Sequence, residues 1–210
     1  MSVLLFFIDG LGIGDDDPAV NPVARAGLRH LGFLRGRPAP DPEAALVATD
    51  ACLGVPGLPQ SATGQTALLA GVNAPAVVGR HINGFCTTRL AALLDGASLF
   101  SRVAAAGGRA TFANAYTPTF FTAPPRFMSV TSVAVSQARL PYRTLEDLAR
   151  GEAVYHDFSN RRLIERGYVV PARSPEEAGA ILARLAGSHD FTMYEYFLTD
   201  VTGHARDMQA

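Results

Sequence analysis

The run Val3–Ile8 places six consecutive apolar residues directly before Asp9. A strand that is covered on both faces shows such a continuous run, whereas a strand with one solvated face alternates apolar and polar residues. The run is too short for the core of a signal peptide and lacks a basic start. We therefore expect a strand of a parallel sheet that is buried on both faces.

Later segments repeat an order of strand and helix. The clearest helix covers 175–186, with Ser174 as its predicted N-cap. Glu177 completes a capping box, and Gly187 marks the predicted stop. An apolar run over 191–198 follows and predicts the last strand. Further predicted elements are helices at 63–69 and 98–106 and strands at 45–49 and 110–115. The alternation predicts an α/β fold with a doubly wound, mostly parallel sheet and helices on both faces.

Composition excludes several classes of partner. The net charge of −1 and the pI of about 6.5 give no electrostatic reason to expect nucleic acid or an anionic membrane. All 18 basic residues are arginine, so phosphate recognition would use Arg, His or backbone N–H groups, and a lysine Schiff base is excluded. Cys52 and Cys86 stand in no metal-binding spacing, which favours a reducing, cytoplasmic location. No segment approaches the roughly 20 apolar residues that cross a bilayer.

Four side chains fall where such a sheet would place a ligand. Asp9 ends the first predicted strand and Asp200 the last, and ligands of open α/β sheets bind at the carboxyl ends of strands. Asp200 and His204 are four residues apart with Gly203 between them, so their side chains can converge on one divalent metal ion. Ser61 lies where a loop enters a helix, and free N–H groups and the helix dipole favour a phosphate-like anion there.

Each of these residues also has a simpler interpretation. Asp9 could open an ordinary turn with Gly10, and Ser61 could cap its helix. Asp200 could be a second cap, and His204 an ordinary surface histidine. Their joint position at the edge of the sheet where ligands bind favours a shared site.

The glycines at 10, 12 and 14 also invite comparison with a dinucleotide-binding loop, because a strand precedes them. Their spacing departs from that fingerprint, and the aspartates at 15–17 follow where a pyrophosphate-binding helix would begin. Those carboxylates would repel the pyrophosphate, so we do not expect nucleotide binding of this type.

Other segments are weaker candidates for substrate contact. Arg80 and His81 follow a glycine and could bind a substrate phosphate, or they could belong to an ordinary loop. His156 could make a pH-sensitive contact, although a structural role is the simpler interpretation. Arg126 is an equally weak candidate.

Three motifs together carry a family resemblance. Residues 58–65, Leu-Pro-Gln-Ser-Ala-Thr-Gly-Gln, which run on to Ala-Gly at 70–71, resemble the nucleophile segment of cofactor-independent phosphoglycerate mutase and its relatives. Residues 6–12, Phe-Phe-Ile-Asp-Gly-Leu-Gly, look like that superfamily's opening strand and first metal ligand. Residues 200–204, Asp-Val-Thr-Gly-His, look like its paired ligands. The motifs occur in the family's order and span nearly the whole chain, which therefore resembles the metalloenzymes of the alkaline phosphatase superfamily.

The resemblance implies a role for each matched residue. Ser61 would be the nucleophile, bound to a metal ion and carrying a transient phosphoryl group, and Asp9 would bind the same ion. Asp200 and His204 would bind a second ion. Of the divalent metals, manganese or zinc suits a histidine ligand better than magnesium does. The implied activity on a small phosphorylated substrate is that of a metal-dependent phosphatase, phosphodiesterase or phosphomutase.

The chain departs from the family after the nucleophile. The mutase follows its serine with Glu-Val-Gly-His, whereas Ala-Thr-Gly-Gln follows Ser61, so the mutase's own substrate is not expected. Thr63 and Thr66 stay open as alternative nucleophiles, because some members of the superfamily use threonine. The mutase also carries a large domain inserted after the serine. Only about 79–160 is available here, so we expect one domain over 1–210 with at most a small cap or lid in that range.

The resemblance also implies ligands that this sequence does not contain. The family's site includes a later Asp-His pair and a further histidine, but only six residues follow His204. We therefore expect a C-terminally incomplete version of the fold that is inactive or impaired, or else a non-catalytic binding module on the same scaffold. If a missing strand normally lies within the sheet, the exposed edge would favour self-association.

Overall fold

A computed structural model describes residues 1–39 and 41–205. The strands are β1 (Val3–Ile8), β2 (Ala110–Phe112) and β3 (Phe191–Tyr196). The helices are, in chain order, α1 (Pro22–Ala26), α2 (Ser61–Ala70), α3 (Ala74–Val78), α4 (Thr88–Leu94), α5 (Leu99–Ala105), α6 (Pro118–Thr122), α7 (Val130–Gln137), α8 (Leu145–Arg150), α9 (Arg161–Glu165), α10 (Pro175–Ser188) and α11 (Leu198–Ala205). The protein is thus a mixed α/β chain with helices and a small, open, three-stranded parallel sheet in the order β1-β3-β2.

The described residues form two compact units. The first unit combines Met1–Phe7 with Ala51–Tyr196, and the second combines Ile8–Asp50 with the described part of Phe197–Ala210. Among the residues described in the second unit, Leu34 is the one apolar residue that is buried. The hydrophobic core therefore lies in the first unit.

Residues of β3 point into two apolar clusters of the first unit, and Ala110 and Phe112 of β2 belong to the larger of them. Phe191 and Met193 belong to the larger cluster, together with residues of α2, α4, α5 and α7. Tyr194 belongs to a second cluster with residues of α10. Phe100 of α5 is fully buried and packs edge-on against Phe191, with the ring centroids 5.3 Å apart. Helices therefore cover both faces of β3, because successive side chains of a strand point to opposite sides.

β1 confirms the predicted strand but not its predicted burial. It lies at the edge of the described sheet, with β3 as its neighbour. Val3, Leu4 and Phe6 remain 44%, 37% and 40% exposed. The prediction of burial was wrong because Leu5 and Phe7 pack against the larger cluster, whereas Val3, Leu4 and Phe6 are only partly covered. Edge position alone does not cause this, since β2 at the opposite edge of the sheet is buried. Self-association through a sheet edge left by a missing strand stays a prediction.

Two shorter predicted strands differ from the structure. β2 covers three residues, whereas the prediction covered 110–115. Beyond Phe112 the chain forms isolated parallel bridges to Val154 and Arg143. The predicted strand over 45–49 does not form, and these residues are irregular. Both predictions were inaccurate because pairing partners, more than local propensity, decide where a short strand forms.

α10 begins where the sequence predicts and ends later. The Ser174 hydroxyl accepts the N–H of Glu177 at 3.2 Å, and the Glu177 carboxylate accepts the N–H of Ser174 at 2.8 Å, which completes the capping box. The helix continues through Gly187 to Ser188, so the predicted stop was wrong. The Ser188 hydroxyl donates to the carbonyl of Leu185 at 3.0 Å and satisfies a C-terminal acceptor without a left-handed glycine.

The described helices are short. α10 is the longest of them at 14 residues, and no helix within residues 1–39 and 41–205 has the length and apolar character needed to cross a bilayer. The range 79–160, where a small cap or lid is predicted, contains β2 as well as α4, α5 and α7. The apolar side chains of these helices enter the larger cluster of the first unit.

Candidate functional site

Ser61 is the first residue of α2 and is partly exposed. The N-cap position belongs to Gln60, which has an extended backbone (φ −134°, ψ 146°) and whose side chain makes no capping hydrogen bond. The interpretation of Ser61 as a helix cap is therefore wrong, because the N-cap is the residue before it. Ser61 stands instead in the first turn, at the positive end of the helix dipole.

The first amide groups of α2 are already hydrogen-bonded. The N–H groups of Ala62 and Thr63 donate to the carbonyl of Ile82 at 3.1 and 3.4 Å. The N–H of Gly64 donates to the carbonyl of Gln60 at 2.9 Å. The expectation of an anion bound by free N–H groups is therefore wrong for these three residues. At the start of α2, the positive end of the helix dipole is the remaining feature that favours an anion.

Thr63 and Thr66 are fully buried, and their hydroxyl groups are engaged. The Thr63 hydroxyl donates to the carbonyl of Gln60 at 3.2 Å and accepts the N–H of Ile82 at 3.2 Å. The Thr66 hydroxyl donates to a carbonyl one helical turn earlier at 2.7 Å. Neither hydroxyl can reach a substrate while the start of α2 is folded, so Ser61 carries the accessible hydroxyl of this motif.

The weaker candidates for substrate contact lie in the same unit. On the loop after α3, Nε2 of His81 lies 3.0 Å from the carbonyl oxygen of Val55, which favours a structural role for this ring. Arg80 beside it is exposed, so its guanidinium is accessible to an anion. The guanidinium of Arg126 lies over the ring of Phe127, with its central carbon 5.2 Å from the ring centroid.

A buried carboxylate near the end of β3 was missed at the sequence level. Glu195 is 8% exposed, and its two carboxylate oxygens accept from Gln65 Nε2 at 2.5 Å and from the Thr131 hydroxyl at 3.0 Å. Its own N–H and carbonyl pair with the side chain of Asn114 at 2.9 and 2.8 Å. The signal that could have found it is a single acidic residue within the otherwise mostly apolar run 191–198.

In the second unit, Asp9 and Gly10 form a turn that packs against the start of α11. The hydroxyl of Thr199 donates to the carbonyl of Asp9 at 2.5 Å, across 190 residues of sequence. Gly10 has a φ of +75°, and a Cβ built on it would lie 2.8 Å from Cα of Asp200. Glycine is therefore required here both for its backbone conformation and for the close approach. The first and last motifs of the sequence meet in this unit.

Asp200 and His204 form the best defined pair of candidate ligands. They lie on α11 and not at a strand end, because β3 ends at Tyr196 and the helix begins at Leu198. Their i,i+4 spacing puts both on one helix face, with His204 Nε2 3.4 Å from Asp200 Oδ1. Two ligands of one tetrahedral ion, at bond lengths of about 2.0–2.1 Å, are themselves separated by about 3.4 Å. The pair therefore fits a single metal ion.

The fit does not extend to a complete ligand set. Within residues 1–39 and 41–205, no group of three or more His, Cys, Asp or Glu side chains is placed so that it could hold a metal ion. Asp9 directly precedes Gly10, which touches Asp200, and it is the candidate for a further ligand. The second unit thus contains one pair of candidate ligands, and metal binding itself, including the presence of two ions, stays a prediction.

The aspartates after the glycines have structural partners. Asp15 Oδ1 accepts from Arg35 Nε at 2.7 Å, and the carboxylate of Asp16 pairs with Arg37. Asp17 accepts a backbone N–H two residues later at 2.9 Å and so caps the turn before α1. Ion pairs and a turn cap explain the acidic run without a nucleotide.

His156 is largely buried in the first unit, and desolvation lowers the pKa of its imidazole from 6.5 to about 4. The carboxylate of Asp157 opposes this shift, whereas the charges of Arg162 and Arg166 add to it. Its ring contacts that of Tyr155, with the centroids 4.2 Å apart. The imidazole is therefore neutral at pH 7, which supports its structural interpretation.

The candidate residues are divided between the two units. Ser61, Arg80 and His81 belong to the first, and Asp9, Asp200 and His204 belong to the second. Comparisons of the chain with protein-family models, with curated proteins and with solved structures find no match.

Proposed function

We propose that this chain carries a metal-dependent phosphoryl-transfer site of the alkaline phosphatase type, with Ser61 as its nucleophile. The proposal includes a doubly wound, mostly parallel sheet of the kind found in that superfamily, and a cytoplasmic location. Its substrate would be a small phosphorylated molecule, and its activity that of a phosphatase, phosphodiesterase or phosphomutase.

The observation that carries the proposal is the contact between the first and last motifs. The turn formed by Asp9 and Gly10 packs against Asp200, and Asp200 in turn faces His204 at 3.4 Å. Three residues to which the resemblance assigns metal binding are thus neighbours within one compact unit. An ordinary turn and an ordinary surface histidine would not require this proximity.

The proposed site assigns each residue a role in binding metal ions or in stabilising negative charge. The resemblance assigns Asp200 and His204 to one divalent ion, manganese or zinc, and assigns Asp9 and Ser61 to the other. Such ions supply Lewis-acid stabilisation of the charge on the phosphoryl oxygens. The positive end of the α2 dipole at Ser61 favours the same negative charge.

In the reaction, the Ser61 hydroxyl oxygen forms a bond to phosphorus while the bond from phosphorus to the leaving oxygen breaks. The hydroxyl proton passes to solvent, and the leaving oxygen takes up a proton. In a phosphatase, water then cleaves the phosphoserine; in a phosphomutase, another hydroxyl of the substrate accepts the phosphoryl group. Arg80, which is exposed, is the candidate for contact with the substrate phosphate.

Metal titration followed by thermal unfolding tests the ligand pair. We expect millimolar manganese or zinc to raise the Tm of the wild-type chain, because an ion that binds only the folded state stabilises it. His204→Gln should abolish the rise. His30→Gln removes an exposed histidine of the same unit and should respond like the wild type. An unchanged Tm for the wild-type chain at millimolar metal would contradict the assignment of Asp200 and His204.

Hydrolysis of an aryl phosphate tests the nucleophile. We expect a slow, metal-dependent hydrolysis that falls to background in Ser61→Ala, because the attacking oxygen is lost. Ser101→Ala removes a partly exposed serine of α5 in the same unit and should retain the wild-type rate. Equal rates for wild type and Ser61→Ala would exclude Ser61 as the nucleophile.

A non-catalytic binding module on the same scaffold is the second candidate function. One observation favours it: within the described part of the chain, no group of three metal-ligating side chains converges. This alternative predicts a metal-dependent rise in Tm without any hydrolysis that depends on Ser61. The two experiments therefore distinguish the two functions.

A further inference from the structure

Four polar side chains form a buried cluster in the first unit, beside the helix that Ser61 begins. Gln65, Asn114, Thr131 and Glu195 are between 0 and 8% exposed. Burial of a carboxylate is unfavourable unless hydrogen bonds compensate for the lost water. Gln65 and Thr131 donate such bonds to the carboxylate of Glu195, and the side chain of Asn114 pairs with the backbone of the same residue.

The cluster joins three elements through their side chains. Glu195 of β3 accepts from Gln65 of α2 at 2.5 Å and from Thr131 of α7 at 3.0 Å. The Thr131 hydroxyl also lies 3.3 Å from Oε1 of Gln65, so its one proton is shared between the two acceptors. Because the amide of Gln65 has its N–H group on the carboxylate and its oxygen on the hydroxyl, its orientation is defined.

The cluster also defines how α2 faces the sheet. Ser61 and Gln65 are four residues apart in one helix, so they lie on the same face of α2. The face that carries Ser61 is therefore the face that is tied to the carboxyl end of β3. The start of the helix is attached separately, through the N–H groups that donate to Ile82. Two attachments one turn apart fix both the position of the helix and its rotation about its axis.

We propose that Glu195 is a positioning residue for Ser61, acting through its hydrogen bond to Gln65. This bond sets the rotation of α2 and hence the direction of the Ser61 hydroxyl. The inference rests on the proposed role of Ser61 as nucleophile. Small errors in the placement of a reacting group lower rates strongly, on the order of 100-fold for about 1 Å.

Reversal of the hydrogen-bonded pair tests the proposal. Gln65→Glu sets two carboxylates against each other, whereas the double variant Gln65→Glu/Glu195→Gln restores an amide–carboxylate pair in the opposite direction. Glu195→Gln alone should be mild, because one of the two amides can rotate to pair with the other. Glu165→Gln removes an exposed carboxylate of an ion pair on α9 and serves as the control.

Hydrolysis of an aryl phosphate provides the first readout. We expect Gln65→Glu to lower kcat on the order of 100-fold with KM unchanged, because binding groups are intact and only the nucleophile is misplaced. The double variant should recover to within about threefold of the wild type, and Glu165→Gln should match the wild type.

A second readout does not depend on catalysis. Ser61→Cys is introduced into each variant, and the rate of alkylation by iodoacetamide is followed by mass spectrometry of the peptide that contains residue 61. We expect Gln65→Glu to change that rate at least about threefold and the reversed pair to restore it. The alkylation of Cys52 and Cys86 in the same sample reports any general loosening of the fold.

The outcomes separate the two proposals. Restoration of the alkylation rate in the reversed pair supports the positioning role. If the wild-type chain at the same time shows no hydrolysis that depends on Ser61, the proposed function is wrong and the positioning role still stands. No change in Gln65→Glu, or equal change in Gln65→Glu and the reversed pair, overturns the positioning role. If Gln65→Glu does not unfold cooperatively, Gln65→Met of similar volume replaces it, with the same change expected and the same unchanged rate as the contrary result.

Discussion

The two units of the protein are stabilised by different kinds of interaction. The first unit buries apolar side chains such as Leu69, and even its carboxylate Glu195 is bonded inside the core. The second unit relies on turn caps, on the exposed ion pair of Asp15 with Arg35, and on the close contact of Gly10 with helix α11. Buried leucines contribute about 2–5 kcal/mol each, whereas exposed ion pairs contribute about 0–1 kcal/mol.

This difference has a consequence for the proposed site. The proposed nucleophile Ser61 lies in the unit with the larger core, and the proposed ligands Asp200 and His204 lie in the unit with little buried apolar surface. Regions with few buried contacts open locally at lower free energy. A metal ion would therefore add stability where the chain itself provides least of it.

The largest expected difference comes from two adjacent leucines of α2. Leu69 is 1% exposed in the core of the first unit, and Leu68 beside it is 54% exposed. We expect Leu69→Ala to lower the free energy of unfolding by about 3 kcal/mol and Leu68→Ala by less than about 1 kcal/mol. Urea unfolding of both variants measures this. Similar losses of unfolding free energy in the two variants would show that Leu69 is not closely packed in the core of the first unit.

A smaller and more local loss of stability is expected from a substitution at Gly10 in the second unit. Gly10→Ala strains a residue with φ +75° and brings a Cβ to 2.8 Å from Cα of Asp200, so we expect a local loss of about 2 kcal/mol. Amide hydrogen exchange of α11 measures this local loss of stability. The metal-induced rise in Tm should also disappear in Gly10→Ala. In Gly12→Ala the added Cβ meets nothing within 4 Å, and exchange should stay as in the wild type. Equal exchange in both variants would argue against the contact.

His156 predicts a pH dependence that originates in the first unit. Its pKa is about 4 in the folded state and 6.5 without burial, so below pH 6.5 the unfolded state binds the proton that the folded state excludes. Stability should therefore be complete above pH 6.5 and fall as the pH drops toward 4. Between pH 7 and pH 5 we expect a loss of about 2 kcal/mol from this group.

Comparison with His156→Gln isolates that contribution. The variant cannot take up a proton at this position, so its free energy of unfolding should fall by about 2 kcal/mol less than that of the wild type between pH 7 and pH 5. Urea unfolding at the two pH values measures the difference. Parallel losses in both proteins would assign the pH dependence to other groups.

The smallest effect is expected from the exposed ion pairs of the second unit. Asp15 and Arg35 have side chains that are 69% and 74% exposed. We expect Asp15→Asn to change the free energy of unfolding by less than about 0.5 kcal/mol, and the change to vanish in high salt. A loss above about 1 kcal/mol would show that exposed ion pairs contribute substantially to the stability of the second unit.

Features that depend on neighbouring residues were predictable from the sequence. The capping box of Ser174 and Glu177 sets the start of α10, and α2 was predicted within two residues of its observed start. The spacing of Asp200 and His204 also indicated from the sequence that their side chains could converge, but the prediction placed the pair at a strand end and not on helix α11.

Features that depend on distant partners were not predictable in the same way. An apolar run predicts a strand in β1, but its exposure depends on how much of the rest of the fold covers it, since β2 at the other edge of the sheet is buried. The amide groups at the start of α2 looked free in the sequence, and Ile82 occupies two of them. In the sequence, Glu195 lies in a mostly apolar run with no hydrogen-bond partner nearby. In the folded chain, Gln65 and Thr131 donate hydrogen bonds to its carboxylate.

The sequence by itself therefore determined the start of α10, the start of α2 to within two residues, the turn that needs Gly10 and the spacing of one pair of candidate ligands. These depend on backbone conformation and on residues a few positions apart. The tertiary structure decided which strand is exposed, which hydroxyl of 61–66 is accessible and what fixes the helix that carries it. Those depend on contacts between segments far apart in the chain, where burial and hydrogen bonding outweigh local preference.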